Sequence, residues 1–153
     1  MFDLTNKIVV ITGGAGKLGQ KHAEAVAEFK AIPILLDLSK DLTDAVATRI
    51  ARQYGVKCLG FEVDITKEDQ VSDCCQKLLD EFGKIDVLIN NATNNPKVET
   101  AEIEQNFSRL ENFDLEIWNK DIAVGLTGAF LCSKHFGFAI SKNSNGGSII
   151  NIS

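Results

Sequence analysis

Five short apolar runs alternate with helical patterns along this chain, and that alternation limits its fold more than any other feature. The runs are "KIVVIT" (7–12), "IPILLD" (32–37), "KCLGFEVD" (57–64), "IDVLIN" (85–90) and "GSIINIS" (147–153). The first is β-branched and unbroken, as a strand buried on both faces must be. Between the runs, apolar residues recur at helical spacing. They are Leu18, His22, Ala25, Val26 and Phe29; Leu42, Val46, Ile50 and Tyr54; Val71, Cys74, Cys75, Leu78 and Phe82. A longer stripe carries Leu115, Trp118, Ile122, Leu126, Ala129, Ser133, Phe136 and Ile140. Gly55 and Gly83 are placed to stop the second and third helices. Thr66 is placed to cap the third, with Asp69 at its third position. Strand and helix in strict alternation build right-handed βαβ units, hence an α/β fold with a parallel sheet.

The bulk numbers narrow the function. A length of 153 residues fits one domain, 1–153, with enough chain for a sizeable core. The formal net charge of −5 leaves no basic face to displace counterions, which argues against nucleic acid as a partner. No unbroken apolar run approaches the roughly 20 residues of a membrane span, and the N-terminus lacks an export-signal pattern. A cytoplasmic location and a small-molecule substrate are therefore expected. Cys58, Cys74, Cys75 and Cys132 include no Cys-x-x-Cys pair. Buried, reduced thiols are the expectation, with no metal site.

Two stretches are unusual. Residues 91–112 are far longer than the 2–6 residues typical of a βα loop. They follow the C-terminal end of a strand, where doubly wound sheets hold ligands, so a substrate-facing loop is expected. The fifth run ends at Ser153 with no helix after it. Because both faces of a parallel sheet need cover, this reads as an incomplete fold, prone to aggregate or dependent on a partner.

The turn "TGGAGKLG" (12–19) joins the first strand to the first helix. Glycines there let a phosphate approach the helix N-terminus, whose free N–H groups and positive dipole end favour an anion. Gly14, Gly16 and Gly19 fit Gly-x-Gly-x-x-Gly. The nucleoside-triphosphate loop fails, because its first glycine falls on Ile11 and its magnesium-binding hydroxyl on Leu18. Lys17 then reads as a solvated side chain, with an extra charge near the pyrophosphate as the alternative. Asp37 closes the second run, 18 residues after Gly19. A carboxylate there accepts from both ribose hydroxyls and repels a 2′-phosphate, which favours NAD over NADP.

Four segments in order resemble the short-chain dehydrogenase/reductase family: "TGGAGKLG", "DIT" (64–66), "NNAT" (90–93) and "GSIINIS". The resemblance spans the whole chain. It implies a Rossmann-type doubly wound sheet in strand order 3-2-1-4-5. It implies hydride transfer between a nicotinamide cofactor and an alcohol or carbonyl. The cofactor contacts it implies are Thr12, Gly13, Gly16, Lys17, Leu18, Gly19, Asp37, Leu38, Asp64, Ile65, Asn90, Asn91, Ala92 and Thr93. The long helix, 114–141, is the family's usual subunit contact, so a homo-oligomer is implied. "NNPK", "FSRLENF" and "WNKDIAVGLTGAFLCSK" also resemble a subgroup from bacterial surface-sugar biosynthesis of the sialic-acid-like kind, which implies a sugar substrate.

The departures matter as much. Thr12, Gly13, Gly16 and Gly19 follow the glycine spacing of the extended, sugar-nucleotide-modifying branch, whereas "NNAT" belongs to the compact branch. Thr93 stands where a glycine is usual. Gly125 stands where the family's supporting asparagine is expected, and with Gly128 it offers a surface for close helix packing. The family's catalytic serine, tyrosine and lysine are expected beyond Ser153, so the chain reads as the cofactor-binding portion of an oxidoreductase, inactive alone. A non-catalytic NAD-binding module and an extended-branch epimerase or dehydratase are the alternatives.

Overall fold

The computed structural model describes residues 3–94 and 109–152. Within them, β1 (Ile8–Thr12), β2 (Ile32–Asp37), β3 (Leu59–Glu62), β4 (Val87–Asn90) and β5 (Ser148–Asn151) form one sheet. Its order is β3-β2-β1-β4-β5, as expected. Every neighbouring pair is parallel, for example Val10 opposite Ile34 on one side and Leu88 on the other.

Three helices follow the first three strands: α1 (Lys17–Glu28), α2 (Lys40–Tyr54) and α3 (Glu68–Phe82). A longer one follows β4. It begins as α4 (Leu115–Ile122), passes through a π-helical segment (Ala123–Gly128) and continues as α5 (Ala129–Ser141). One core layer, with Val9, Ile11, Leu35 and Ile89, faces Ala23 and Ala27 of α1 and Ala47 and Ile50 of α2. The other, with Val10, Ile34, Leu36 and Leu88, faces Val71, Cys74 and Leu78 of α3 and Cys132 and Phe136 of α5.

The helix registers correct the sequence expectation on one face. The α1 residues facing the sheet are Gly19, Ala23 and Ala27, while Leu18 and Phe29 are exposed. On α2, Thr43, Ala47 and Ile50 are buried and Leu42 is exposed. Small residues won because these helices lie close to the sheet: a Cβ on Gly60 of β3 would stand 2.7 Å from the Thr43 backbone. The α3 stripe is buried as expected at Val71, Cys74, Cys75 and Leu78, with Phe82 half-buried at its end, and Gly55 and Gly83 end α2 and α3 in the left-handed conformation.

Thr66 does not cap α3. Its N–H and hydroxyl both turn back to Asp64 Oδ1, at 2.9 and 2.6 Å, so Lys67 takes the cap position without a side-chain bond. At the opposite edge of the sheet, the Asp86 carboxylate accepts from Ile8 N and from Lys7 and Lys84. Burial pushes the Asp86 carboxyl up, but these three donors outweigh it and hold it below the usual range. The four cysteines are buried and free. Burial pushes the thiols of Cys58, Cys74 and Cys132 up to about 12, and that of Cys75 to about 11.

The long helix departs from expectation in its first half. Trp118 and Leu126 belong to the predicted core stripe, yet both are exposed, and α4 buries no residue at all. The helix runs antiparallel to the strands, so its start overhangs their C-terminal edge, where no sheet surface lies beneath it. Only in α5 do Leu131, Cys132, Phe136, Ala139 and Ile140 reach the core. By length and mean hydropathy, 27 residues and 1.3, Leu115–Ser141 is also apolar enough to cross a membrane, although it holds no long unbroken apolar run. Only 28% of its apolar window is buried, and Leu115, Trp118, Ile122, Leu126, Phe130 and Phe138 are exposed, so burial against the sheet accounts for only part of that composition. The residues of β5 are exposed, including Ile149 and Ile150.

Candidate cofactor site

The strand ends and the turns after them meet at the C-terminal edge of the sheet. The first turn is shaped by missing side chains. Gly13 has φ +62°, a conformation that glycine adopts without strain. A Cβ on Gly14 would lie 2.8 Å from Leu35 Cβ, so this glycine lets the turn close onto β2. A Cβ on Gly19 would lie 2.1 Å from Gly13 O, so this one lets α1 pack under the turn. Gly16 is different: it is exposed, and a Cβ there would meet only Gly13 O, at 3.2 Å. The first intrahelical hydrogen bond is Gln20 N to Gly16 O at 3.0 Å. The N–H groups of Lys17, Leu18 and Gly19 precede it and point out of the helix start, which carries no acidic residue in its first turn. Lys17 and Leu18 are exposed.

Asp37 ends β2 beside this turn. Its Oδ2 accepts from Ala15 N at 3.0 Å and its Oδ1 from Leu38 N at 2.8 Å, while the Leu38 side chain is exposed. Gln20 holds the turn from below, donating to Ala15 O at 2.7 Å and accepting from Arg49 of α2 at 3.1 Å.

The end of β4 is built from side-chain hydrogen bonds. Thr12 Oγ1, buried at the end of β1, accepts from Asn91 N and Ala92 N, each at 3.0 Å. Asn91 Nδ2 donates back to Thr12 O at 2.9 Å. Asn90 is buried; its Nδ2 donates to Asn151 Oδ1 at 2.8 Å and Ser133 Oγ at 3.1 Å. Its Oδ1 is buried without a partner among the described residues. Thr93 is exposed, and Asn94 Nδ2 donates to Asp121 Oδ1 of α4 at 2.9 Å. After β3, Ile65 is buried against Gly128, where a Cβ would stand 2.6 Å from Ile65 Cδ1. Gly128 thus serves contact with this loop, whereas Gly125 has open space around it within the π-helical segment.

A model of the family described as short chain dehydrogenase matches residues 7–153. The chain belongs to the short-chain dehydrogenase/reductase family. It is 35% identical over 150 residues to an uncharacterized oxidoreductase, YxbG, of Bacillus subtilis (strain 168), covering 98% of this chain and 50% of that protein. It is 31% identical to an NAD-dependent glycerol dehydrogenase of Listeria innocua serovar 6a (strain ATCC BAA-680 / CLIP 11262), covering 99% of this chain and 54% of that one. Among solved structures it superposes on NAD+-bound xylitol dehydrogenase with a TM-score of 0.85 at 25% identity, over 98% of this chain and 54% of that one. The chain spans about half the length of these short-chain relatives.

The residues expected to hold a dinucleotide thus lie along one edge of the sheet, at the ends of β1, β2 and β4 and in the loop after β3. Sequence reasoning missed the residues that fix them in place. Gln20, Arg49, Ser133 and Asn151 act through tertiary contacts that no local pattern announces. Gly14 fitted the Gly-x-Gly-x-x-Gly pattern in the sequence, and in the structure it packs on Leu35 of β2. Tyr54, the chain's one tyrosine, sits on α2 and packs against the core layer under α1 and α2. Most of the long loop expected to face substrate, residues 95–108, lies outside the described residues. Its last part forms a 3₁₀ turn, Leu110–Asn112.

Proposed function

We propose that these residues form the cofactor-binding part of an NAD-dependent oxidoreductase acting on a hydroxylated substrate of the polyol or sugar class. The observation that carries the reading is the pairing of Asp37 with the open helix start. The carboxylate lies at 3.0 Å from Ala15 N, beside the unpaired N–H groups of α1. Pyrophosphate fits the helix start, with Gly16 leaving room for it, and Asp37 accepts from the adenosine ribose hydroxyls. A 2′-phosphate would meet that carboxylate, so NAD is the cofactor and NADP is disfavoured; Lys17 stays in solvent. Asp64 and Ile65 flank the adenine, and Asn90, Asn91, Ala92 and Thr93 flank the nicotinamide end.

When bound, the cofactor supplies the hydride chemistry. This part of the protein binds and orients it and does not turn over substrate alone. The catalytic acid/base groups belong to the remainder of a longer enzyme, as the length of the relatives supports. The names of the glycerol and xylitol dehydrogenases support a polyol substrate. The exposed stripe Leu115, Trp118, Leu126 and Phe130 on the long helix supports pairing of two subunits there.

Titration calorimetry with NADH and NADPH tests the cofactor reading. NADH is expected to bind at least about tenfold more tightly, and Asp37→Ala is expected to narrow that ratio. Equal affinity for the two cofactors in the unaltered protein would sink the NAD assignment.

A further inference from the structure

A groove of about 560 Å³ runs between α3 and α5 on the solvent side of the helix layer. Its size lies within the roughly 300–1,000 Å³ of small-molecule sites. Buried Cys75 and Ala139 form its floor, with half-buried Leu79 and exposed Phe138 as apolar walls. Lys142 and Asn143 line the end at the N-terminal edge of the sheet, where Asn143 Nδ2 donates to Ile85 O at 2.7 Å, just before β4. Lys134 and His135 line the other end. Lys134 and Lys142 are eight residues apart on the helix, about 12 Å. The turns of the candidate cofactor site end the strands at the opposite edge, so the groove is separate from them.

Charge sets the groove apart from the rest of the molecule. The chain carries a net charge of −5, yet among the described residues that line the groove none is acidic. Lys134 and His135 both meet Glu68 Oε1, at 2.6 and 3.1 Å, so a carboxylate already answers that end. Lys142 is held otherwise: its Nζ stands 4.5 Å over the Phe138 ring. A ring face holds an ammonium in place without neutralising its charge. The groove thus joins an apolar channel to one positive charge at its end.

This pattern selects a class of ligand. A lone ammonium is a point charge that suits a singly charged carboxylate, whereas a phosphate takes several donors. The amides beside it are in use: Gln76 Nε2 donates to Asp80 at 2.8 Å, as Asn143 does to Ile85. A polypeptide laid here would bury backbone N–H and C=O groups against few partners. An unbranched hydrocarbon chain has no such need, and its burial on Leu79, Phe138 and Ala139 is favourable.

We propose that the groove between α3 and α5 is an accessory site for a medium-chain fatty carboxylate, with its head group on Lys142 and its chain along Phe138, Leu79 and Ala139. The assignment stands apart from the cofactor and substrate readings above.

The test uses the complete enzyme, octanoate as the probe and 1-octanol as its uncharged counterpart, both below the concentrations at which they aggregate. Titration calorimetry is expected to show one octanoate per chain, bound at least about tenfold more tightly than octanol and unaffected by saturating NADH. Lys142→Met keeps the apolar stem and removes the charge. It is expected to weaken octanoate by about tenfold and to leave octanol within about twofold. Gln76→Trp, at an exposed position on the rim, is expected to fill the groove and abolish binding of both. Thermal melting without ligand checks that each variant is folded. Octanoate bound no better than octanol, or bound equally by the parent and Lys142→Met, would overturn the assignment. Competition with NADH would place the ligand at the cofactor edge and overturn it too. If a second copy of the chain covers the groove, octanoate does not bind and Gln76→Trp turns a dimer into a monomer in sedimentation, and that result also overturns it.

Discussion

The turn after β1 and the turn after β4 stand side by side at the same edge of one sheet and are made in opposite ways. The first is shaped by what its residues lack. Gly13, Gly14 and Gly19 bring backbone against backbone, and Gly16 leaves its outer side open. The second is shaped by what its residues carry. Thr12, Asn90, Asn91 and Asn94 fix it through hydroxyl and amide bonds. A glycine turn exposes N–H groups for an anion, which suits a pyrophosphate. An amide-rich turn fixes backbone direction, which suits the end of a cofactor where geometry decides the chemistry. Thr12 joins the two, since it ends β1 and its hydroxyl holds the start of the second turn.

The comparison predicts unequal responses to mutation. Gly19→Ala is expected to have the largest effect. Its Cβ would meet Gly13 O at 2.1 Å and the backbone of Gly13 and Gly14 at 2.9 Å, and no flexible side chain is there to yield. Overpacking of this kind costs about 3 kcal/mol. Denaturant melts should show a large fall in midpoint, with NADH binding lost as well. A variant as stable as the parent would mean that α1 does not pack beneath the turn in this way.

Thr12→Val tests the link between the turns. It keeps the shape and removes the hydroxyl, leaving Asn91 N and Ala92 N without their acceptor in a shielded place. The expected cost is about 2 kcal/mol. Thr12→Ser, which keeps the hydroxyl, should recover most of it. Equal losses in both variants would assign the effect to the methyl group and separate the two turns.

The two turns also differ in how far they could be read beforehand. The strands, the glycine turn and the place of Asp37 at the end of β2 followed from local patterns, because strand-turn-helix geometry depends on neighbours in sequence, whereas the strand order was implied by the family resemblance. The second turn was legible only as "NNAT". Its partners Ser133, Asn151 and Asp121 lie 27 to 61 residues away along the chain, and each pairs through tertiary placement. The same limit explains Trp118. Helical spacing marked an apolar stripe of which only Phe136 and Ile140 are buried, because spacing does not say where the sheet ends beneath the helix or which side of α5 meets it. It explains Leu42 and Thr43 as well, since the depth at which α2 sits was decided by Gly60 on a neighbouring strand.

Gly16→Ala is expected to change stability least and is the sharpest test of what the first turn is for. Gly16 caps α1 with φ −70° and ψ 165°, which an L-residue adopts freely. The added Cβ would meet Gly13 O at 3.2 Å and would otherwise face outward. The fold therefore makes little demand for glycine here, and the change in stability should stay within about 1 kcal/mol. A phosphate seated over the helix start does make that demand, because a methyl group would stand between it and the N–H groups. NADH affinity should then fall by about tenfold while the melting midpoint holds. Gly19→Ala would lose fold and binding together, whereas Gly16→Ala would lose binding alone. If Gly16→Ala bound NADH as the parent does, the pyrophosphate would have to sit away from Gly16. The open side of the turn would then have no ligand to explain it.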